Sequence, residues 1–312
     1  MKLGTALCTA TTLALSSGAV VAETVGGIIS TDTVWANTTT PYTFSSTVQI
    51  RNGVTLTIAP GVQLEAGNIS VFGNLQIAGT AAAPVQLTNV SIVPAGNGDP
   101  NKRFAMDIQH ATFNGGSLYS PTGNAIYGSL RLQDSVLTNV PYMYVWYPTS
   151  DVLIKGNIFE NFGGISIGSS NANVLVENNL FNGSGQMGYL VQNWASYGTA
   201  MTTVRYNSFL NSASTAVMLP SGYSNAALDA RQNYWGTVDS TLIEARIYDS
   251  NDDLSTAGTI PYLPFLTGHH PDTPISSPVP EPTSIALMLL GLALVSAKMR
   301  SSSKLQPTLL QR

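Results

Sequence analysis

One pattern of apolar and polar positions recurs along the middle of the chain: apolar-x-x-Asn-x-aromatic. It reads Ile154-Lys-Gly-Asn157-Ile-Phe159, Val176-Glu-Asn-Asn179-Leu-Phe181, Val204-Arg-Tyr-Asn207-Ser-Phe209 and Ala230-Arg-Gln-Asn233-Tyr-Trp235. Looser copies come earlier, around Leu132, Ser135 and Leu137, around Ile108, Ala111 and Phe113, and around Val85, Thr88 and Val90. From Thr88 to Asn233 the spacings are 23, 24, 22, 22, 28 and 26 residues, an irregular period that fits one rung of a coil with loops of variable length. Apolar residues at i and i+5 have opposite parity, so a single straight strand cannot turn both inward; a bend between two short strands can. Asn suits the bend because it tolerates left-handed backbone and its amide can bond groups that the corner frees. Stacked at about 4.8 Å per rung, the four Asn predict a hydrogen-bonded ladder, and Phe159, Phe181, Phe209 and Trp235 a parallel internal stack.

These rungs resemble the right-handed parallel β-helix family, in the pectate-lyase-like superfamily and its periplasmic copper-processing relatives, over roughly residues 45–266. Thr55-Leu-Thr-Ile-Ala-Pro-Gly61, Leu75-Gln-Ile-Ala-Gly-Thr80 and Pro84-Val-Gln-Leu87 are similar to the first coils of such proteins. Asn233-Tyr-Trp-Gly-Thr237, Ile247-Tyr-Asp249 and Pro261-Tyr-Leu-Pro-Phe265 are similar to a closing coil and cap. The expected fold is all-β, a single-domain solenoid. A β-sandwich would want hairpins with two-residue Asn-Gly or Asp-Gly turns, and few are visible.

Composition agrees: 10% of the 312 residues are charged and 44% hydrophobic, with 28 Gly and 17 Pro, which argues against coiled coils, bundles and a disordered chain. Residues 1–22 read as a secretory signal, with Lys2, an apolar stretch and Ala19-Val20-Val21-Ala22 before a cut after Ala22. The one cysteine, Cys8, lies inside it, so the mature chain is expected to lack a thiol. Residues 23–267 form the expected β-helix domain, and 268–279 a Pro/Thr/Ser-rich linker. In 280–312, Pro280-Glu281-Pro282, then Ile285 to Ala297 without charge, then Lys298 and Arg300, resemble the PEP-CTERM sorting tag. That resemblance implies export from a Gram-negative bacterium to the cell surface or matrix. Its implied partners are the secretion machinery and an exosortase that removes the tag, with only transient membrane contact. Residues 23–279 keep 16 acidic and 8 basic residues, a formal −8, which disfavours nucleic acid and acidic glycans gripped by charge.

Candidate chemistry is sparse. Glycoside hydrolysis needs carboxylates converging on one groove, and none reads out. Glu177 shares its repeat position with Lys155, Arg205 and Arg231, which predicts a salt-bridging surface ladder. Asp134, Asp151, Glu160 and Asp229 occupy differing positions, as solvated charges do. Asp249-Ser-Asn-Asp-Asp253 begins like a calcium loop but has Leu254 and Ile260 where Gly and Glu belong, and is expected to be a polar cap loop. His269 and His270 are expected to be solvated in the linker, and His110 on the surface. No catalytic residue, metal ligand or cofactor is assigned.

One surface feature stands out. In Tyr142-Met-Tyr-Val-Trp-Tyr147, Met143 and Val145 share the register of the core, so Tyr142, Tyr144 and Trp146 are expected to point outward as a platform for neutral sugar rings. Tyr189, Trp194 and Tyr197 could extend it. The expected function is a non-catalytic protein that binds or organises exopolysaccharide. The alternatives are a β-helix polysaccharide lyase or hydrolase, and a structural or adhesive matrix protein without glycan affinity.

Overall fold

The computed structural model describes residues 22–95, 104–118, 128–170, 172–183, 188–210 and 215–275. They form a right-handed parallel β-helix of about seven turns, all-β apart from one five-residue helix. Its first face is an eight-stranded parallel sheet in chain order, from Thr33–Trp35 to Thr202–Arg205. The second face carries three- and four-residue strands, Ala111–Asn114, Val136–Thr138, Ile158–Glu160, Leu180–Asn182 and Ser208–Leu210. The third carries Ser117–Leu118, Met143–Trp146, Ile165–Ser170, Tyr189–Tyr197, Thr215–Met218 and Ile247–Tyr248. In the first coils the second and third faces are one bent strand, as in Gln63–Val71 and Val85–Pro94; farther along, the corner splits it in two.

The predicted interior is present. Asn157, Asn179, Asn207 and Asn233 are wholly buried, and each Oδ1 from Asn179 onward accepts both the backbone N–H and the Nδ2–H of the Asn one rung earlier, all at 2.9–3.0 Å. The ladder begins at Ser135, whose N–H donates to Asn157 Oδ1 at 3.0 Å. Phe159, Phe181, Phe209 and Trp235 stack with centroids 4.7, 5.1 and 5.2 Å apart. The bend itself differs from expectation. The left-handed residue is the one before the ladder Asn: Gly156, Asn178, Tyr206 and Gln232 have φ of +69°, +53°, +57° and +61°. The Asn therefore does not supply the turn; its amide satisfies the backbone groups that the turn leaves behind. At the next corner Asn114, Asn139 and Asn161 make a second, exterior chain of amide bonds, 3.1 and 2.7 Å long, which the repeat did not reveal.

The last coil closes as expected. Pro261 and Pro264 carbonyls accept the N–H groups of Ala230 and Gln232, so the segment around them forms the final layer. The short helix Ser240–Glu244, capped by Asp239, buries Ile243 near that end. The chain then turns back along the first corner. His270, expected to be solvated, is half-buried instead, with Nδ1 3.0 Å from Asn178 Nδ2 and its ring against Tyr206; His269 is exposed, with Nδ1 2.8 Å from Ser208 Oγ and its ring beside Tyr234. Of the left-handed corner residues, Asn178 and Tyr206 project side chains that this returning segment meets. Thr273, buried, donates to the Tyr206 carbonyl.

Candidate functional site

The site lies on the third face. Along Met143–Trp146, Met143 and Val145 are buried in the core and Tyr144 and Trp146 point outward, as alternation requires. The rings do not form a flat shelf. Tyr142 stacks on Tyr144 and Tyr144 on Trp146, with centroids 5.2 and 4.9 Å apart and planes 20° and 22° from parallel, so the three make a ridge of rings facing one another. Trp146 Nε1 is buried and finds no acceptor among the described residues.

The next rung is small where this one is large. Tyr144 pairs with Ser166 and Trp146 with Gly168, and on the following rung Ser166 pairs with Gln192. Two low positions between two tall rows leave a groove of about 430 Å³, lined by Tyr144, Trp146, Ser166, Tyr189, Gln192, Trp194, Pro220 and Tyr223. Among the described residues no charged side chain lines it. Its polar groups converge on Ser166: Gln192 Nε2 donates to Ser166 Oγ at 2.9 Å, and Ser166 also hydrogen-bonds the Tyr189 phenol. Burial pushes that phenol up to about 12, against the weaker opposing effect of Ser166, so Tyr189 stays protonated and is a poor base at neutral pH. Of the extending rings, Tyr189 and Trp194 line the groove, while Tyr197 is exposed and lies beside Tyr147 outside it.

The other candidates are drawn into the fold. On the first face Glu177 accepts from Lys155 at 2.9 Å and from Arg205 at 3.1 Å, the ladder expected from the repeat. Partial burial pushes the Glu177 carboxyl up, but the two hydrogen-bonded cations outweigh it and hold the group below its ordinary value. Asp229 is held low chiefly by its hydrogen bonds from Arg231. In the 249–260 loop the oxygens of buried Asp249 accept the N–H groups of Asn251 and Ile260, and Asp253 accepts from Ser255. Those carboxylates hold a loop in shape. His110 sits at a left-handed corner, φ +46°. Ala22 is exposed just before the first strand, while Pro280, Glu281 and Pro282 lie outside the described residues.

Comparison with family models, curated proteins and solved structures finds no match for the chain. The functional argument therefore rests on the groove.

Proposed function

We propose that the protein is an exported, non-catalytic β-helix that binds neutral extracellular polysaccharide through the groove on its third face. The observation that carries this reading is the lining: among the described residues, five aromatic residues, a serine hydroxyl, a glutamine amide and no charge, in a volume suited to a small ligand. Sugars have apolar C–H faces and hydroxyl edges, and rings beside amide and hydroxyl groups meet both without using charge. A protein with a formal −8 over residues 23–279 benefits from such a mode, since it need not attract an acidic polymer. Hydrolysis at this groove lacks its acid and base, because no carboxylate lines it. Export is proposed from residues 1–22 and from the likeness of 280–312 to a PEP-CTERM tag, with an exosortase as processing partner; kinship with the pectate-lyase-like superfamily is proposed from the coils alone.

The test is retention of residues 23–279 on the host's exopolysaccharide and on an insoluble neutral glucan, with soluble ends assayed over time. Retention without release of ends supports the reading. No retention on either polymer removes it in favour of a structural matrix role, and time-dependent appearance of unsaturated or reducing ends promotes the enzyme alternative. Intact mass of the protein from its native host tests export separately: a species retaining Ile285 to Ala297 removes the sorting tag.

A further inference from the structure

Trp194 owes its place in the groove to an irregularity of its strand. Between the strands Ile165–Ser170 and Tyr189–Tyr197 the pairing runs Ile165 to Val191, Ser166 to Gln192 and Ile167 to Asn193, then jumps to Gly168 opposite Ala195. Trp194 is the extra residue of a β-bulge, a device that re-aims a side chain. Two features hold the bulge. Asn193 turns fully into the interior, where its Nδ2 donates to Thr202 Oγ1 at 2.7 Å and its Oδ1 accepts from Ala227 N–H at 3.2 Å and Ser196 Oγ at 3.3 Å. Gly168 provides the space: a Cβ there would meet Trp194 Cζ2, Cε2 and Cη2 at 2.4, 2.6 and 3.0 Å, so the indole lies broadside on a residue with no side chain. Trp146, Tyr147 and Tyr223 meet Trp194 at 81°, 81° and 63° and surround it with steeply inclined rings.

We infer that Trp194 is the principal sugar-stacking residue of the groove, aimed by the Asn193 bulge and the bare Gly168, and that it takes the C–H face of a neutral gluco-configured pyranose whose hydroxyls meet Gln192. The inference rests on the glycan-binding reading and adds to it the subsite and the residues that position it. Its reason is geometric. The rings of Tyr142, Tyr144 and Trp146 face one another, whereas the indole of Trp194 lies on Gly168, is met by its ring neighbours only at steep angles, and lines the groove. A gluco-configured ring, with its hydroxyls equatorial, offers an unbroken C–H face to such a surface; an axial hydroxyl interrupts it, and a carboxylate finds no cation in the lining. Gln192, which gives an N–H to Ser166, still carries an amide oxygen able to accept from a hydroxyl.

Gly168→Ala tests this without removing a ring. The new methyl would overlap the indole ring itself, so Trp194 must leave its place against residue 168. Of the four tryptophans, Trp35 and Trp235 are buried in the core, so fluorescence that responds to a groove ligand reports Trp146 and Trp194. Titration of residues 23–279 with cellohexaose is expected to change that fluorescence saturably, and mannohexaose and oligogalacturonate to bind more weakly. Gly168→Ala is expected to lose about tenfold or more in affinity and the near-UV circular dichroism of the Trp146–Trp194 pair, while its far-UV spectrum shows the β-helix still folded. Trp194→Ala should lose the affinity as fully. If wild type binds and Gly168→Ala matches it within twofold, the positioning inference falls while glycan binding stands. If wild type gives no saturable change with any of the three sugars, both fall. Oligogalacturonate binding best overturns the neutral-sugar assignment alone.

Discussion

Two outward rows of the same solenoid put the same rung spacing to opposite uses. On the first face Lys155, Glu177 and Arg205 occupy one position on three successive rungs, and alternating charge closes them on each other. On the third face the outward positions run from Tyr144 and Trp146, through Ser166 and Gly168, to Gln192 and Trp194, large, small and large. Because stacked strands bring equivalent positions within about 5 Å, complementary neighbours fill a face and a small rung between tall ones opens it. The ladder spends its polar groups within the protein; the groove leaves surface for something else.

Both rows hang on the Asn corner, so the largest effect is expected there. Asn207→Ala strands the Asn179 backbone N–H, costs the Asn179 amide one of its bonds, and leaves the Val176 and Arg205 carbonyls without the donor that Asn207 gives them. Each buried group left unpaired costs about 1–3 kcal/mol, and a lowered melting temperature in thermal denaturation is the check. Asn179→Ala should behave alike. Unchanged melting of both would break the premise that the corner supports the two faces equally.

Next in size is the loss expected on the groove side. Tyr144→Ala with Trp146→Ala should weaken glycan binding by about 1–3 kcal/mol in calorimetric titration, as removal of aromatic contacts does at interfaces. It should cost folding far less than the corner variants, because both side chains lie outside the core. A double variant that melts early with affinity intact would make the ridge structural, like the ladder.

The ladder itself should yield less. Glu177→Gln removes the charge that Lys155 and Arg205 share, and with both cations about 40% exposed the loss should stay below about 1 kcal/mol. Since the Glu177 carboxyl is held below its ordinary 4.5, its contribution is complete above that pH and fades as pH falls through the lowered value. Acid unfolding of wild type and Glu177→Gln should therefore converge at low pH and diverge toward neutrality. Parallel curves would mean that the ladder is screened out.

The ladder and the groove were unequally legible. Glu177 among cations, the Asn ladder and the stacked Phe all follow from one repeat, because each sits at a fixed offset from the same Asn. Outward Tyr144 and Trp146 follow from alternation alone. The groove does not, because it depends on which rung lies opposite which, and loops that spread the period from 22 to 28 residues hide that register. A bulge that turns Asn193 inward leaves no mark in a pattern where Asn is common. The left-handed corner was misplaced by one residue because Asn is a good candidate for both roles, and only hydrogen bonds separate the residue that turns from the one that satisfies the turn. The packing of His270 against Tyr206 is not legible because a Pro-rich sequence says nothing of what it lies against.

The smallest effect is one that vanishes at neutral pH and separates the two faces by the direction in which they fail. Burial raises the Tyr189 phenol from an ordinary 10.0 to about 12, so its contribution to stability is complete below pH 10 and is lost as pH rises through about 12. The sign is opposite to that of Glu177, whose contribution is lost in acid. Tyr189→Phe should leave melting between pH 5 and 9 nearly unchanged, apart from the bond to Ser166, and should delete one late step from the tyrosinate absorbance titration, near pH 12. Carbohydrate in the groove should delay that step further, since a ligand over Tyr189 removes it from water, whereas nothing bound there should move the acid limb that Glu177 sets. If Tyr189 ionises at its ordinary 10.0 instead, the floor of the groove is wet and open, and the contrast between a spent face and an available one loses its electrostatic half.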